Sequence, residues 1–180
     1  MHPAVFLQSG RISPEENTMF REMRKEAQLL PHEEALHILE KGTSGVLALL
    51  GDGNYPYAVP MSYAYENGKI YFHSAPTGHK IDAAKGHEKA SFCVIARDEI
   101  IPLNFTTYYE SAIAFGRIRF VEDKEEYLHG MHLITDKYSP NHPTGPDQAI
   151  AASMGYMKIL CLDLEHVTGK QAKDLAERTR

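Results

Sequence analysis

The sequence predicts a mainly β protein whose antiparallel strands form a small barrel that is closed or partly open. Six segments are short and apolar or alternate between apolar and polar residues, and they follow one another in hairpin order. The clearest link is Asn67-Gly68, which joins two alternating runs and favours the tight turn of a hairpin. Helical segments are too few to cover an open sheet, so we expect a barrel with a few peripheral helices.

The first predicted elements are a helix and three strands. The stretch PHEEALHILEKG predicts the helix, because Pro31 suits a first turn, Glu33 and Glu34 favour its positive end, and Gly42 suits its stop. The apolar run GVLALLG predicts a strand. The runs YAVPMSYAY and KIYFHSA then predict one strand each, on either side of the hairpin turn.

The second half predicts three more strands and three short helices. Helical spacing in GHKIDAAKGHEKA is followed by the strands ASFCVIA and YYESAIAFGRIRFVED, where Gly116 predicts a bulge or a close backbone approach. Asp123 and Glu126 have the spacing of a capping box, so DKEEYLHGMHLITDKYSP predicts a helix. The segment DQAIAASMG predicts a short helix, and YMKILCLDLEHVTG predicts the last strand.

Composition indicates one globular domain. The chain has 180 residues, 43% of them hydrophobic, and a net charge of −5. We expect an N-terminal arm at residues 1–18 and a domain at residues 19–180. No run reaches the roughly 18 apolar residues of a membrane span, and the first residues lack the pattern of a signal peptide, so we expect a cytoplasmic protein without a membrane partner. The acidic balance disfavours nucleic acid.

The cysteines and the paired histidines do not predict a metal site. Cys93 and Cys161 lie in apolar runs, which is typical of buried, reduced thiols. His129 and His132 have metal-ligand spacing on a predicted helix, but no third ligand accompanies them.

The end of the KIYFHSA strand has the residues of a phosphate site. Thr77, Gly78 and His79 stand at the start of a predicted helix, whose free amides favour an anion. Ser74 can donate a hydroxyl and Lys80 adds a full charge, while Gly78 allows a close backbone approach. A solvated helix cap with a surface lysine explains the same residues, and their spacing alone leaves both interpretations open.

The stretch VPMSYAYENGKIYFHSAPTGHK, followed by YYESAIAFGRIRFV, resembles the flavin-binding split-barrel superfamily of pyridoxamine 5′-phosphate oxidase. Within it, the likeness is closest to the Nim-type proteins linked to nitroimidazole resistance, which MFREMRKE and VTGK also resemble. The likeness covers roughly residues 19–170. It implies an antiparallel split β-barrel, with the domain at residues 19–180 forming a homodimer that binds two FMN molecules at the subunit interface.

The resemblance also assigns positions to the flavin. One strand would follow the isoalloxazine ring through its backbone, and the residues concerned are Tyr57, Ala58, Val59, Pro60, Met61 and Ser62. The resemblance places Phe72, His73 and Ser74 at the strand end that contacts flavin. It places Gly78, His79 and Lys80 at the phosphate, and Ser111 where a side-chain amide contacts FMN from another strand. His73 would face the substrate side as a catalytic residue, although a packed strand histidine is the alternative.

Departures from the oxidase pattern shape the expected activity. Tyr57 and Ser62 occupy positions where the oxidases have Arg and Lys, and the C-terminal Arg motifs that hold pyridoxal phosphate are not apparent. We therefore expect flavin-dependent reduction of small electron-poor compounds, nitroimidazole-like ones above all, rather than vitamin B6 oxidation. The electron donor would be a reduced nicotinamide or another small molecule. Two alternatives stay open: a haem-binding or haem-handling split barrel, with His73 or another histidine as ligand, and a flavin-binding module without a fast reaction.

Overall fold

The computed structural model describes residues 19–142, 146–153 and 155–178, so the predicted arm at residues 1–18 lies outside the described residues. Within these ranges the strands are β1 (Ser44–Leu50), β2 (Pro56–Ser62), β3 (Ala64–Glu66), β4 (Lys69–Ser74), β5 (Lys89–Ile101), β6 (Thr106–Phe120) and β7 (Lys158–Gln171). The helices are α1 (His32–Lys41), α2 (His79–Gly86), α3 (Lys124–Tyr138), α4 (Pro146–Ser153) and α5 (Lys173–Arg178). None of the helices in the described part of the chain is both long and apolar enough to cross a membrane.

All seven strands belong to one antiparallel sheet with the order β2-β1-β5-β6-β7-β4-β3. The sheet curls until β2 also contacts β4, near its opposite edge. The predicted antiparallel split barrel with peripheral helices is therefore confirmed. Its curl brings the end of β2 and the end of β4 together at the split.

Two apolar clusters lie on opposite sides of this sheet. The barrel interior holds fully buried side chains that include Leu47, Phe72 and Phe92, and the rings of the two phenylalanines pack edge to face at 5.1 Å. The second cluster lies outside the barrel, where α3 and α4 cover β4 and β7, and it includes Tyr71 and Met131. Successive residues of β4 therefore face different environments.

Helix α3 is fastened to the sheet at its start and to the residue that ends α1 at its own end. Near its start, Glu126 accepts hydrogen bonds from Arg119 at 2.7 and 2.9 Å and from Lys69 at 3.0 Å. Arg119 also contacts Asp163 of β7 at 2.6 Å. Near its end, the Lys137 ammonium donates to the Gly42 carbonyl at 2.5 Å. These contacts hold α3 in place over the outer face of β4.

Several local predictions are confirmed. Asn67 and Gly68 have φ values of 49° and 78°, as a two-residue turn of the mirror-image type requires. Gly116 lies at a register shift of β6, where an added Cβ would collide with the Asp163 carbonyl. The Asp123 carboxylate accepts from the Glu126 amide at 2.8 Å and caps α3.

Two predicted strands differ from those observed. The run YAVPMSYAY is broken at Tyr63 into β2 and β3, because the backbone of Tyr63 bonds to the Tyr138 hydroxyl instead of a neighbouring strand. The Tyr63 hydroxyl turns into the core and donates to the Leu39 carbonyl at 2.7 Å. The strand predicted for ASFCVIA continues to Ile101, because its extension pairs with the first residues of β6 in a long hairpin.

Candidate functional site

Strand β2 presents an open edge at the split of the barrel. In the sheet formed by the described residues it pairs only with β1, so the backbone groups of its other edge point away from the ladder. Its side chains alternate, with Met61 buried toward the core and Tyr57 and Val59 partly buried there. Ala58, Pro60 and Ser62 are exposed on the other face. Of the predicted flavin-strand residues, Pro60 fits an edge position because it cannot donate to a ladder.

The end of β4 leads into α2 through a short loop that ends at Gly78. Gly78 is the residue before the first helical turn, and its φ of 120° and ψ of 170° favour glycine. Among the residues that the structure describes, no side chain caps this helix start, and no atom lies within 4 Å of where a Cβ of Gly78 would stand. The first amides of α2 therefore face open space, which suits a bound anion.

Lys80 and His79 differ in their surroundings. The Lys80 ammonium lies 3.6 Å from the Met61 sulfur, a weak acceptor, so α2 places its charge beside β2. The His79 ring stacks on Tyr57 with centroids 4.0 Å apart. It also lies 3.5 Å from the amide and 3.8 Å from the carboxylate of Asp52. His79 therefore joins β2 to α2, while Lys80 keeps its charge available to a ligand.

His73 and Ser74 each carry a buried polar atom without a protein partner. Among the described residues, three buried side-chain atoms have no hydrogen-bond partner, and these two neighbours supply the His73 Nδ1 and the Ser74 Oγ. Ser74 is only 4% exposed. Buried polar atoms almost always find a partner, so the pair at the end of β4 is a candidate contact for a ligand. We call Ser74, Gly78, His79 and Lys80 the phosphate cradle, after the anion that the sequence predicts there.

A cavity of about 380 Å³ lies over the outer face of β4. Helices α3 and α4 form its roof, and its lining includes His73, Ser62, Met131, Ile134, Tyr138 and Ile150. Burial, and then the nearby charge of Lys80, lower the pKa of the His73 imidazole below its ordinary value. We call this space the His73 cavity. It combines apolar walls with a neutral imidazole, which can donate or accept one hydrogen bond.

Two predicted residues lie apart from this group. Phe72 is fully buried in the barrel core against Phe92, so only its backbone could contact a ligand at the strand end. Ser111 lies on β6, with β1 and β5 between it and β2, and it is paired with Ile95 and Lys170. Three strand spacings amount to about 14 Å around the barrel. Within one chain Ser111 therefore does not reach the open edge of β2.

The two histidines with metal-ligand spacing, His129 and His132, each have one carboxylate neighbour. His129 lies 2.6 Å from Glu66, and His132 lies 3.5 Å from Asp147. In residues 19–142, 146–153 and 155–178 there is no group of three or more His, Cys, Asp or Glu side chains that could hold a metal ion.

The structure brings together the end of β2, the end of β4 and the first turn of α2, which sequence reasoning had already connected. The roof of the His73 cavity was missed. Met131, Tyr138 and Ile150 lie far along the chain from β4, and nothing in the local pattern links them to it. The one available signal was the apolar face of the α3 segment, which shows that the helix packs but not on what.

Comparison with known proteins agrees with this geometry. A family model described as pyridoxamine 5′-phosphate oxidase matches residues 31–171. A proposed 5-nitroimidazole antibiotic resistance protein from Bacteroides thetaiotaomicron VPI-5482 is similar, with 23% identity and a TM-score of 0.68 over 79% of this chain and 86% of that one. An FAD-binding protein from Mesorhizobium loti has 24% identity and a TM-score of 0.59 over 81% and 97%. An FAD- and haem-binding protein from Mycobacterium smegmatis has 18% identity and a TM-score of 0.63 over 83% and 78%. At these identities the structures share the fold.

Proposed function

The chain belongs to the pyridoxamine 5′-phosphate oxidase family, and from this premise we propose that it is a homodimeric FMN-binding reductase of small electron-poor compounds, nitroimidazole-like ones in particular. The observation that carries the proposal is the pair of unpartnered buried atoms at the end of β4, on His73 and Ser74. These neighbours point to opposite faces of one strand. A ligand that satisfied both would have to place one part in the phosphate cradle and another near the His73 cavity.

The residues of the phosphate cradle fit the phosphate of FMN. In the described part of the chain the Ser74 hydroxyl has no hydrogen-bond partner and no side chain caps the first amides of α2, while the Lys80 ammonium donates to a thioether. A phosphate would accept from all three kinds of donor. The open edge of β2 would supply backbone groups to the ring. When bound, the flavin supplies the electron-transfer chemistry, and the protein supplies binding and orientation.

His73 would orient the substrate. Its side chain lines the cavity, and its pKa is lowered, so at neutral pH the imidazole is uncharged and can donate one N–H. A nitro or carbonyl oxygen that gains negative charge would accept that hydrogen bond. The apolar walls from Met131, Ile134 and Ile150 suit a small flat molecule.

A second copy of the chain would complete the site. The outer face of β1, β5 and β6 exposes Val46 (38%), Ile95 (66%) and Ile113 (38%), and the tip of the β5–β6 hairpin exposes Phe105 (98%). An apolar face of this kind is typical of an interaction surface. Ser111 lies on the same face, so in a dimer it would approach the flavin held by the partner. An electron donor such as a reduced nicotinamide, and a cytoplasmic location, stay predictions.

Haem binding is the second candidate. The similar protein from Mycobacterium smegmatis binds FAD and haem. Here an imidazole and a thioether, from His73 and Met131, line one cavity, and both groups are common haem ligands. A flavin-binding module without a fast reaction is the third candidate, since the same residues would hold the cofactor.

The visible spectrum of the purified protein separates these candidates. Flavin gives absorption bands in the blue and near ultraviolet, whereas haem gives an intense Soret band. The flavin-loaded protein is then photoreduced without oxygen and mixed with nitro compounds and quinones. Rapid reoxidation by a nitro compound supports the reductase. A flavin that stays reduced indicates a binding module, and a colourless protein that takes up neither cofactor contradicts the proposal.

A further inference from the structure

A second cavity, of about 740 Å³, runs along the side of α2 away from Lys80. Its walls come from α2, the end of β6, the start of α3 and the start of β7. Its apolar floor is formed by Ile81, Phe120 and Tyr127. Its charged rim is formed by Lys85, Lys124 and Lys158. We call this cavity the lysine groove.

The lysine groove carries a local positive charge on an acidic protein. Its rim has three ammonium groups, and its lining includes one carboxylate, that of Glu122. Lys85 lies 4.0 Å from Asp82. Lys124 and Lys158 have no carboxylate within 4.0 Å in the described part of the chain. Two of the three charges are therefore available to an anion.

The groove begins where the phosphate cradle ends. Lys158 is paired directly with Ser74 across the β4–β7 ladder, so their side chains leave the same face of the sheet. Pro76, in the loop between Ser74 and Gly78, also lines the groove. Met157 lines both the groove and the His73 cavity. The cradle therefore lies between two cavities that meet at one side chain.

We propose that the lysine groove binds the adenosine monophosphate half of a dinucleotide. Ammonium groups bind phosphates as point charges, and a floor with Phe120 and Tyr127 suits a flat aromatic base. The volume lies within the range of roughly 300–1,000 Å³ that small-molecule sites have. A free inorganic phosphate would need no such floor. The proposal rests on the proposed function, because the groove adjoins the cradle in which the flavin phosphate would bind.

Two sources offer this chemistry: the adenosine half of FAD, bound as one molecule with the flavin, and a separate nicotinamide dinucleotide that delivers electrons. Calorimetry on the full chain separates the two sources by the dissociation constants of FMN, FAD and ADP. ADP binding is measured both with and without bound FMN. The test variant is Lys124→Ala/Lys158→Ala. Lys124→Arg/Lys158→Arg retains the charges, and Lys173→Ala removes an exposed lysine that does not line the groove.

Each lost lysine should weaken phosphate binding about tenfold. An excess affinity for FAD over FMN that falls about a hundredfold in the alanine variant, and not in the arginine or Lys173 variants, assigns the groove to FAD. Equal affinities for FMN and FAD, with lysine-dependent ADP binding to the FMN-loaded protein, assign it to a separate donor. The proposal is overturned if the wild type neither prefers FAD nor binds ADP. It is also overturned if neither of these affinities falls in the alanine variant. If no flavin binds, the proposed function fails, while lysine-dependent ADP binding to the flavin-free chain still supports the groove.

Discussion

Replacing Lys80 by alanine should show how much of FMN binding depends on its phosphate and how much on its ring. The Lys80 ammonium contacts a thioether in the protein, so its removal leaves no buried charge unpaired. A lost charge-assisted hydrogen bond costs about 1.5–3 kcal/mol. FMN binding should therefore weaken roughly 10- to 150-fold, whereas riboflavin, which has no phosphate, should bind as it does to the wild type.

The measurement is fluorescence titration of both flavins into wild type, Lys80→Ala and Lys89→Ala. Lys89 is exposed at the start of β5 and does not belong to the phosphate cradle, so its loss should leave both affinities unchanged. Equal losses for FMN and riboflavin in Lys80→Ala would show that the ammonium does not touch the phosphate. Unchanged affinities for both would refute the cradle.

The same variant gives a readout that needs no flavin. The pKa of His73 is lowered first by burial and second by the charge of Lys80. Removing the charge should raise the His73 pKa, but not fully to its ordinary value, because burial remains. An NMR titration of the imidazole in wild type and Lys80→Ala measures this directly. An unchanged His73 pKa would mean that the two side chains are not close, and the geometry of the site would be wrong.

The remaining predictions concern the substrate, the dimer and stability. His73→Ala should keep FMN but slow reoxidation of the reduced flavin by a nitro compound about tenfold, less than the 10²–10³ seen on losing a donor from a preorganised site. Stopped-flow with dioxygen is its control, and if both rates fall together His73 is structural. Ile95→Asp should turn a dimer that buries more than roughly 2,000 Å² into a monomer by light scattering, and a wild-type monomer with FMN bound would contradict the dimer. Glu126→Gln should lower the free energy of unfolding by about 1–3 kcal/mol at neutral pH. The hydrogen bond from Arg119 lowers the Glu126 pKa from 4.5 to about 2, so the carboxylate stabilises the fold above pH 4.5. The difference in unfolding free energy between wild type and Glu126→Gln should vanish as the pH falls toward 2. A difference that persists at the lowest pH would refute this.

Local features of this fold could be predicted from the sequence because their causes are local. Asn67-Gly68 forms its turn since both residues accept a positive φ, and Asp123 caps α3 through a bond to a residue three positions on. Gly116 signals a close approach, although its neighbour, the Asp163 carbonyl, could not be named in advance. Patterns of this range depend on two to four residues, all of which the sequence displays together.

Features that depend on distant residues could not be predicted. The break at Tyr63 depends on the Tyr138 hydroxyl, which lies 75 residues away along the chain. Likewise, Lys158 joins the neighbourhood of Ser74 only through the β4–β7 register. The candidate cradle could be inferred because its residues are consecutive, whereas the roof of the His73 cavity and the lysine groove required the topology.

The alternation of β4 explains how one strand could serve two tasks. Its period of two places Ser74 on the face that meets α2 and His73 on the face that α3 covers. A shift of β4 by one residue against β7 would exchange these side chains and leave the imidazole in the cradle. The register against β7 is held along the strand by six residue pairs, from Lys69–Asp163 to Ser74–Lys158. Just before the strand, the Leu164 amide of β7 donates to the Gly68 carbonyl at 2.9 Å. The pairing of β4 with β7 therefore keeps Ser74 and His73, and with them the proposed phosphate binding and substrate orientation, on separate faces of one strand.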